Sequence, residues 1–281
     1  MPEEMEWTTR GLDYEPPEID TTKAHSARLY DYLLGGKDNY PPDREAAERL
    51  MKVMPSAQVM AQQNRLFMRR LVRYLTAGQG ISQFLDIGTG IPTSPNLHEI
   101  AQEINPAARV VYADNDPIVL AHAHARLTSA SQGRVAYIHA DMRDTDSITT
   151  APDLTATLDL SQPVALSILA TLHFIPDDDQ AYELVRRYML PLPPGSFLAL
   201  SMGTADYAPQ GERLAVSVSR AQGIPVRSRT RAEVSAFFDG LELIEPGVVP
   251  VHQWRPDADA AEVHDSEVTL YCGVARKPAA P

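Results

Sequence analysis

From residue 84 onward, short apolar runs alternate with segments of helical period, and this alternation restricts the possible folds more than any other feature of the chain. Phe84-Leu85-Asp86-Ile87 reads as a strand. The helix predicted after it carries Leu97, Ile100, Ala101 and Ile104 on one face, with Ser94 as N-cap and Pro95 in its first turn. Arg109-Val110-Val111-Tyr112-Ala113 is a second strand, and Asp116-Pro117 opens another helix. Three further strands follow over residues 135–138, 164–169 and 197–201, with a helix over about 178–189 between the last two. Strands alternating with helices at this spacing predict a mostly parallel, doubly wound sheet. Thr230 and Glu233 form a capping box for a helix ended by Gly240, after which residues 241–244 and 268–275 can make a final antiparallel pair.

Three amphipathic helices precede this unit. Residues 22–34 have helical period, stopped by Gly35-Gly36, and the polar turn Lys37-Asp38-Asn39-Tyr40-Pro41-Pro42 separates them from a second helix capped by Asp43. Pro55-Ser56 opens a third, with Met60, Leu66, Phe67, Leu71 and Leu75 on largely one face. The expected organisation is an extended, acidic arm over residues 1–22, a helical cap over 23–78 and a Rossmann-like domain over 79–281.

Charge and cysteine content narrow the function. A formal net charge of -12, without a local basic stripe, argues against nucleic acid as a partner. Cys272 is the single cysteine, so no internal disulfide or thiolate cage can form, and its position fits a small apolar strand residue. No HExxH or comparable cluster suggests a metal. The absence of an apolar leader or of a run long enough to span a bilayer predicts a cytoplasmic, non-membrane protein.

In a doubly wound sheet ligands bind beyond the C-terminal strand ends, where the strand order reverses. The residues falling there are Asp86, Gly88 and Gly90 after the first strand, Asp114 after the second, Asp141 after the third and residues 169–173 after the fourth. Gly88 and Gly90 allow a sharp turn and close backbone approach. Asp114 lies 24 positions past Gly90, near the separation at which a carboxylate meets ribose hydroxyls. Pro92 and Thr93 stand where a dinucleotide fold would place its third glycine, and Asp86 would repel a pyrophosphate while suiting an amino group. The ligand reads as a nucleoside without phosphates.

The run Ser26-Ala27-Arg28-Leu29-Tyr30-Asp31-Tyr32-Leu33-Leu34-Gly35-Gly36-Lys37-Asp38-Asn39-Tyr40, the loop at residues 84–93 and Tyr112-Ala113-Asp114-Asn115-Asp116-Pro117 resemble the actinobacterial S-adenosyl methyltransferase family long carried as a domain of unknown function. The resemblance extends from about Ala24 to Arg276. It implies a bacterial class I methyltransferase with a seven-stranded sheet whose last pair is reversed, helices on both faces, and S-adenosylmethionine as cofactor. Carried over by position, it places Asp86, Gly88, Thr89 and Gly90 in the first cofactor motif, with Pro92 departing from its usual third glycine. It assigns Asp114 and Asn115 to the ribose, Asp141 and Met142 to the adenine, and Ala170 and Thr171 to the motif after the fourth strand. The acceptor does not follow from the resemblance; a small molecule methylated on oxygen or nitrogen is expected.

Methyl transfer from a sulfonium needs a base only when the acceptor must lose a proton. His173 is the candidate base, against the alternative of a helix-start histidine bonded to backbone. His139 is expected to be structural, and His122 and His124 to lie on a helix surface. Lys37, Asn39 and Tyr40 suit a lid over the methionine end, with Tyr30 and Tyr32 as further contacts, or else a merely solvated polar turn. Arg65, Arg69 and Arg70 could anchor the cofactor carboxylate or simply form a charged helical face. Residues 203–229 read as a long polar connection that shapes the acceptor pocket. Two other functions remain open at this level: a non-catalytic cofactor-binding regulator and a nicotinamide-dependent oxidoreductase.

Overall fold

In the computed structural model, which describes residues 19–119, 132–258 and 262–279, the apolar run at 83–87 forms β1 (Gln83–Ile87), buried at every position. It lies between β2 (Arg109–Asp114) and β4 (Ala165–Leu169), both parallel to it. β3 (Arg134–His139) pairs with β2, and β5 (Phe197–Gly203) with β4, also in parallel. β8 (Leu270–Arg276) runs antiparallel to β5, and the two-residue strands β6 (Glu242–Leu243) and β7 (Val249–Pro250) pair with β8. The eight-stranded sheet has the order β3-β2-β1-β4-β5-β8-β6, with β7 beside β8, one short strand more than expected. The order reverses between β1 and β4, so the crevice opens over their C-terminal ends.

Alternate side chains of these strands feed two cores. On one face Leu85, Val111, Leu166 and Leu198 pack with Leu184, Val185 and Tyr188 of a helix over residues 178–189. On the other, Phe84, Val110, Ala165 and Phe197 meet Phe67, Leu71 and Val72 of an N-terminal helix, together with Leu97 and Ile100. Burial on both faces explains why the strands read as continuous apolar runs rather than alternating ones. Cys272 sits in the second core, wholly buried, as a small apolar residue.

The cap comprises α1 (Ser26–Leu33), α2 (Pro41–Val53) and α3 (Ala57–Arg73). Leu34 and Gly35, the latter at φ +79°, stop α1. Asp43 caps α2 from the third helical position rather than from the N-cap: the helix begins at Pro41, with Pro41-Pro42 in its first turn, and Asp43 Oδ2 accepts from Tyr40 N at 2.8 Å. Ala46, Ala47, Ala57 and Ala61 are fully buried, and the last three pack with Leu33 and Met54 in a cluster of the cap's own.

The helix α4 (Leu97–Ile104) likewise starts later than expected. Asn96 is its N-cap, and Ser94, rather than capping, donates from Oγ to Glu99 Oε2 at 2.8 Å. Short helices α5 (Thr145–Thr149) and α6 (Pro152–Thr157) lead to β4, and α7 (Asp178–Met189) follows it. The connection after β5 is not the open loop expected, because α8 (Pro209–Ala221) occupies its middle. Its apolar Ala215 docks on the cap cluster, which supplies the burial that its polar sequence conceals. The Thr230 capping box is formed and starts α9 (Arg231–Ser235).

His122, His124, most of the helix opened at Asp116-Pro117 and the greater part of the arm lie outside the described residues. Among the described residues no helix is long and apolar enough to cross a membrane.

Candidate active site

One cleft of about 430 Å³ runs over the switch point, lined by the tails of β1, β2, β3 and β4 and roofed by α1, α3 and α8. At its centre Gly88 turns at φ +70° and Gly90 at φ +68°. A Cβ on Gly88 would come within 2.4 Å of Thr171 Cγ2, so only glycine lets the β1 and β4 tails close on each other. A Cβ on Gly90 would meet nothing within 4 Å, because that face of the turn borders the open cleft.

Two carboxylates flank this turn. Asp86 accepts hydrogen bonds from Ser167 Oγ and Thr89 Oγ1, and burial pushes its carboxyl above the ordinary range despite them. Asp114 accepts from Gly90 N at 2.8 Å and Asp116 N at 2.9 Å, and burial raises it as well. Among the described residues neither forms an ion pair, although each is only 9% exposed. Buried acids without an ion-pair partner among the described residues, beside a turn no side chain fills, fit a ligand bringing an ammonium and hydroxyls of its own.

Asn115, Asp141, Met142, Ala170 and Thr171 line the same cleft. Asp141 is clamped by Arg143, whose bonds hold its carboxyl below the usual range. Ala170 adopts a left-handed backbone, φ +51°, and its N–H donates to Ser201 O and Ser201 Oγ, each at 2.9 Å. From Ser201 a chain of hydrogen bonds leads into the cap. Ser201 Oγ donates to Asn64 Oδ1 at 2.7 Å, Asn64 Nδ2 to Tyr30 Oη at 3.0 Å, and Tyr30 Oη to Ala61 O at 3.1 Å.

The lid expectation is corrected in part. Tyr30 lines the cleft, whereas Lys37 is exposed and Asn39 is buried in the turn itself, its amide donating to Asp31 Oδ2 at 2.8 Å and Gly36 O at 3.1 Å. Arg44 Nε donates to its oxygen at 2.8 Å, so the Gly-Gly-Lys-Asp-Asn run serves to fold the α1–α2 corner. A Cβ on Gly36 would fall 2.0 Å from Asp31 Oδ1, which explains the second glycine. Tyr40 stacks under the Arg28 guanidinium and packs beside Ile91. Tyr32 points away from the cleft toward Glu48.

The cap is fastened to the β2 tail through Asp116, which is 1% exposed: His25 Nδ1 lies 2.9 Å and Arg28 Nε 3.2 Å from its Oδ2. Of the three arginines, Arg65 reaches the cleft and donates to Thr93 O and Pro95 O. Arg70 instead donates to Trp254 O at 2.9 Å and Val251 O at 2.7 Å, anchoring the C-terminal segment, and Arg69 stays outside the cleft. His139 ends β3, exposed, with Nε2 3.1 Å from Asn115 O.

His173 lines the cleft from the turn after β4. Burial, aided by the Arg229 charge, lowers its pKa to about 4, so the ring is neutral near pH 7, and Nδ1 has no hydrogen-bond partner. The sequence reading missed Asn64, Ser167, Ser201 and Glu212. The two serines sit in apolar strands, and a polar residue inside such a run was the available signal; Asn64 and Glu212 lie on helices and gave none.

A family model for S-adenosyl methyltransferases matches residues 13–278, and the chain belongs to that family of S-adenosylmethionine-dependent methyltransferases. It is similar to a DUF574-family protein of Streptomyces avermitilis MA-4680, with 53% identity over 93% of this chain and 100% of that one and a TM-score of 0.91. It also resembles a protein from Thermobifida fusca YX that carries a provisional methyltransferase assignment, with 38% identity over 98% and 100% of the two chains and a TM-score of 0.85. The plantazolicin methyltransferase BpumL, solved with S-adenosylhomocysteine, shares the fold at 11% identity, covering 89% of this chain and 95% of that one, with a TM-score of 0.54. No curated protein sequence matches the chain.

Proposed function

We propose that the enzyme methylates an oxygen or nitrogen of a small, largely apolar acceptor bound under the helical cap. The observation that carries this reading is the continuation of the cleft beyond the β1 and β4 tails into a chamber walled by Leu33, Met54, Met60, Phe174 and Val216. Its few polar groups, Glu212 and His173 among them, could fix the orientation of an acceptor while the apolar walls exclude water.

S-adenosylmethionine supplies a sulfonium-activated methyl group. In this reading Asp86 takes the cofactor ammonium, Arg65 its carboxylate and Asp114 the ribose hydroxyls, while Asn115, Asp141 and Met142 border the adenine. Ala170 and Thr171 hold the β4 tail against the Gly88 turn. His173, neutral near pH 7, is the candidate to accept a proton from an acceptor hydroxyl or amine. A net charge of -12 and enclosure by the cap both weigh against a nucleic-acid acceptor.

The test is release of S-adenosylhomocysteine by purified enzyme over a panel of small aromatic and aliphatic alcohols, phenols and amines. Turnover is expected with apolar members and lost on filling the chamber with Met60→Trp. Turnover confined to oligonucleotides or folded proteins would overturn the reading.

A further inference from the structure

Three groups converge on the end of β5 at Gly203, where no side chain occupies the space. Measured from the position a Gly203 Cβ would take, Glu212 Oε1 lies at 3.6 Å, Ser228 Oγ at 3.8 Å and the His173 Cβ at 4.0 Å. Glu212 stands in the first turn of α8, 5% exposed, on the wall of the acceptor chamber. Its described hydrogen bond comes from Ser228 Oγ, and among the described residues it forms no ion pair. The nearby Arg229 guanidinium is committed elsewhere, to Asp178 Oδ1 at 3.0 Å, Leu172 O at 3.1 Å and Ile175 O at 2.8 Å. A carboxylate this buried, in apolar surroundings and without a cation, is costly for the empty enzyme and is relieved by a ligand that brings a positive charge. His173, next to the same space, carries a buried Nδ1 that has no hydrogen-bond partner.

We propose that the acceptor is an apolar amine, bound as an ammonium by Glu212, and that the enzyme is an N-methyltransferase. This rests on the reading of the chamber as the acceptor site. The ammonium gives one proton to Glu212, whose pKa burial has raised, and the amine so formed is a nucleophile. Its lone pair forms the bond to the methyl carbon as the carbon–sulfur bond breaks with its electron pair left on sulfur. The positive charge lost by the sulfonium then rests on the methylated nitrogen, and the proton on Glu212 leaves to solvent. An alcohol offers Glu212 no charge to neutralise, so binding separates the two classes.

The experiment uses enzyme saturated with S-adenosylhomocysteine and matched probes titrated by calorimetry: 2-phenylethylamine, n-octylamine and tryptamine against 2-phenylethanol, n-octanol and tryptophol. At least one amine should bind about 100-fold more tightly than its alcohol, and Glu212→Gln should erase most of that preference while leaving affinity for S-adenosylhomocysteine unchanged. The bound amine should also lower the carboxyl pKa of Glu212, read by carbon NMR on the wild-type protein, which keeps the test intact if the variant misfolds. Equal affinity for amine and alcohol, a preference that survives Glu212→Gln, or no binding by any of the three amines would overturn the amine assignment. Failure of the protein to bind S-adenosylhomocysteine at all would instead count against the cofactor reading beneath it.

Discussion

Asp86 and Asp114 reach the cleft from the C-terminal ends of adjacent parallel strands, and their partners lie at most three residues along the chain, on a neighbouring strand or in the turn that follows it. The acceptor chamber is assembled differently. Asn64, Glu212 and the apolar walls arrive on helices far apart in sequence, and only the packing of cap, α8 and sheet brings them together, with hydrogen bonds such as Ser201 to Asn64 between the layers. The cofactor end is thus fixed by strand register, while the acceptor end depends on how the cap docks. An enzyme family built this way can keep one donor and change acceptors by altering helices, because the two ends share few residues.

The sharpest way to break this contrast is Asp114→Ala. It removes a buried carboxylate that organises the Gly90 and Asp116 amides, and affinity for S-adenosylhomocysteine should drop about 100-fold by calorimetry, from the loss of charged hydrogen bonds worth roughly 1.5–3 kcal/mol each. Unchanged affinity would mean that the nucleoside lies elsewhere.

Asp86→Asn should weaken the same ligand about tenfold while raising the melting temperature of the ligand-free protein at neutral pH. Burial raises the Asp86 pKa in the folded state, so its contribution to stability is full below the unfolded-state value and is lost as pH rises through the folded one. The stability advantage of the variant should accordingly vanish on acidification below the ordinary carboxylate range, followed by thermal melts across pH. In the wild type, cofactor affinity should fall as pH drops through the raised folded-state value, since a protonated Asp86 cannot neutralise an ammonium.

The smallest effect tests the joint between the two regions. Burial would raise the Asp116 carboxyl, yet its contacts with His25 and Arg28 outweigh burial and hold it below its usual value. His25→Ala removes one of these contacts and should weaken S-adenosylhomocysteine about threefold, within the modest range of a partly exposed pair. It should also speed amide exchange in α1 without altering exchange in the sheet. Faster exchange in β1 would show that cap and sheet are not separable.

Strand positions, the glycine turn, the acids at the strand tails and the buried Cys272 were legible in the sequence because they depend on period, turn chemistry and neighbours close along the chain. Helix starts at Pro41 and Leu97 were displaced by a few residues, since several polar residues compete for a cap and tertiary packing selects among them. The Gly-Gly-Lys-Asp-Asn run was visible as special, but its role was not. Its glycine makes room for Asp31 and its asparagine bonds within the corner, a fact of local geometry that composition does not encode. α8 was hidden in a polar stretch because its apolar partner, the cap cluster, lies about 150 residues earlier and becomes a neighbour only through long-range packing. Sequence by itself therefore determined the sheet and a phosphate-free nucleoside site, both set by local pattern, while the methyl donor followed from the family resemblance. Tertiary structure alone decided which of the many polar helical residues faces the acceptor, because only the docking of α3 onto the sheet and of α8 onto the cap turns Asn64 and Glu212 inward.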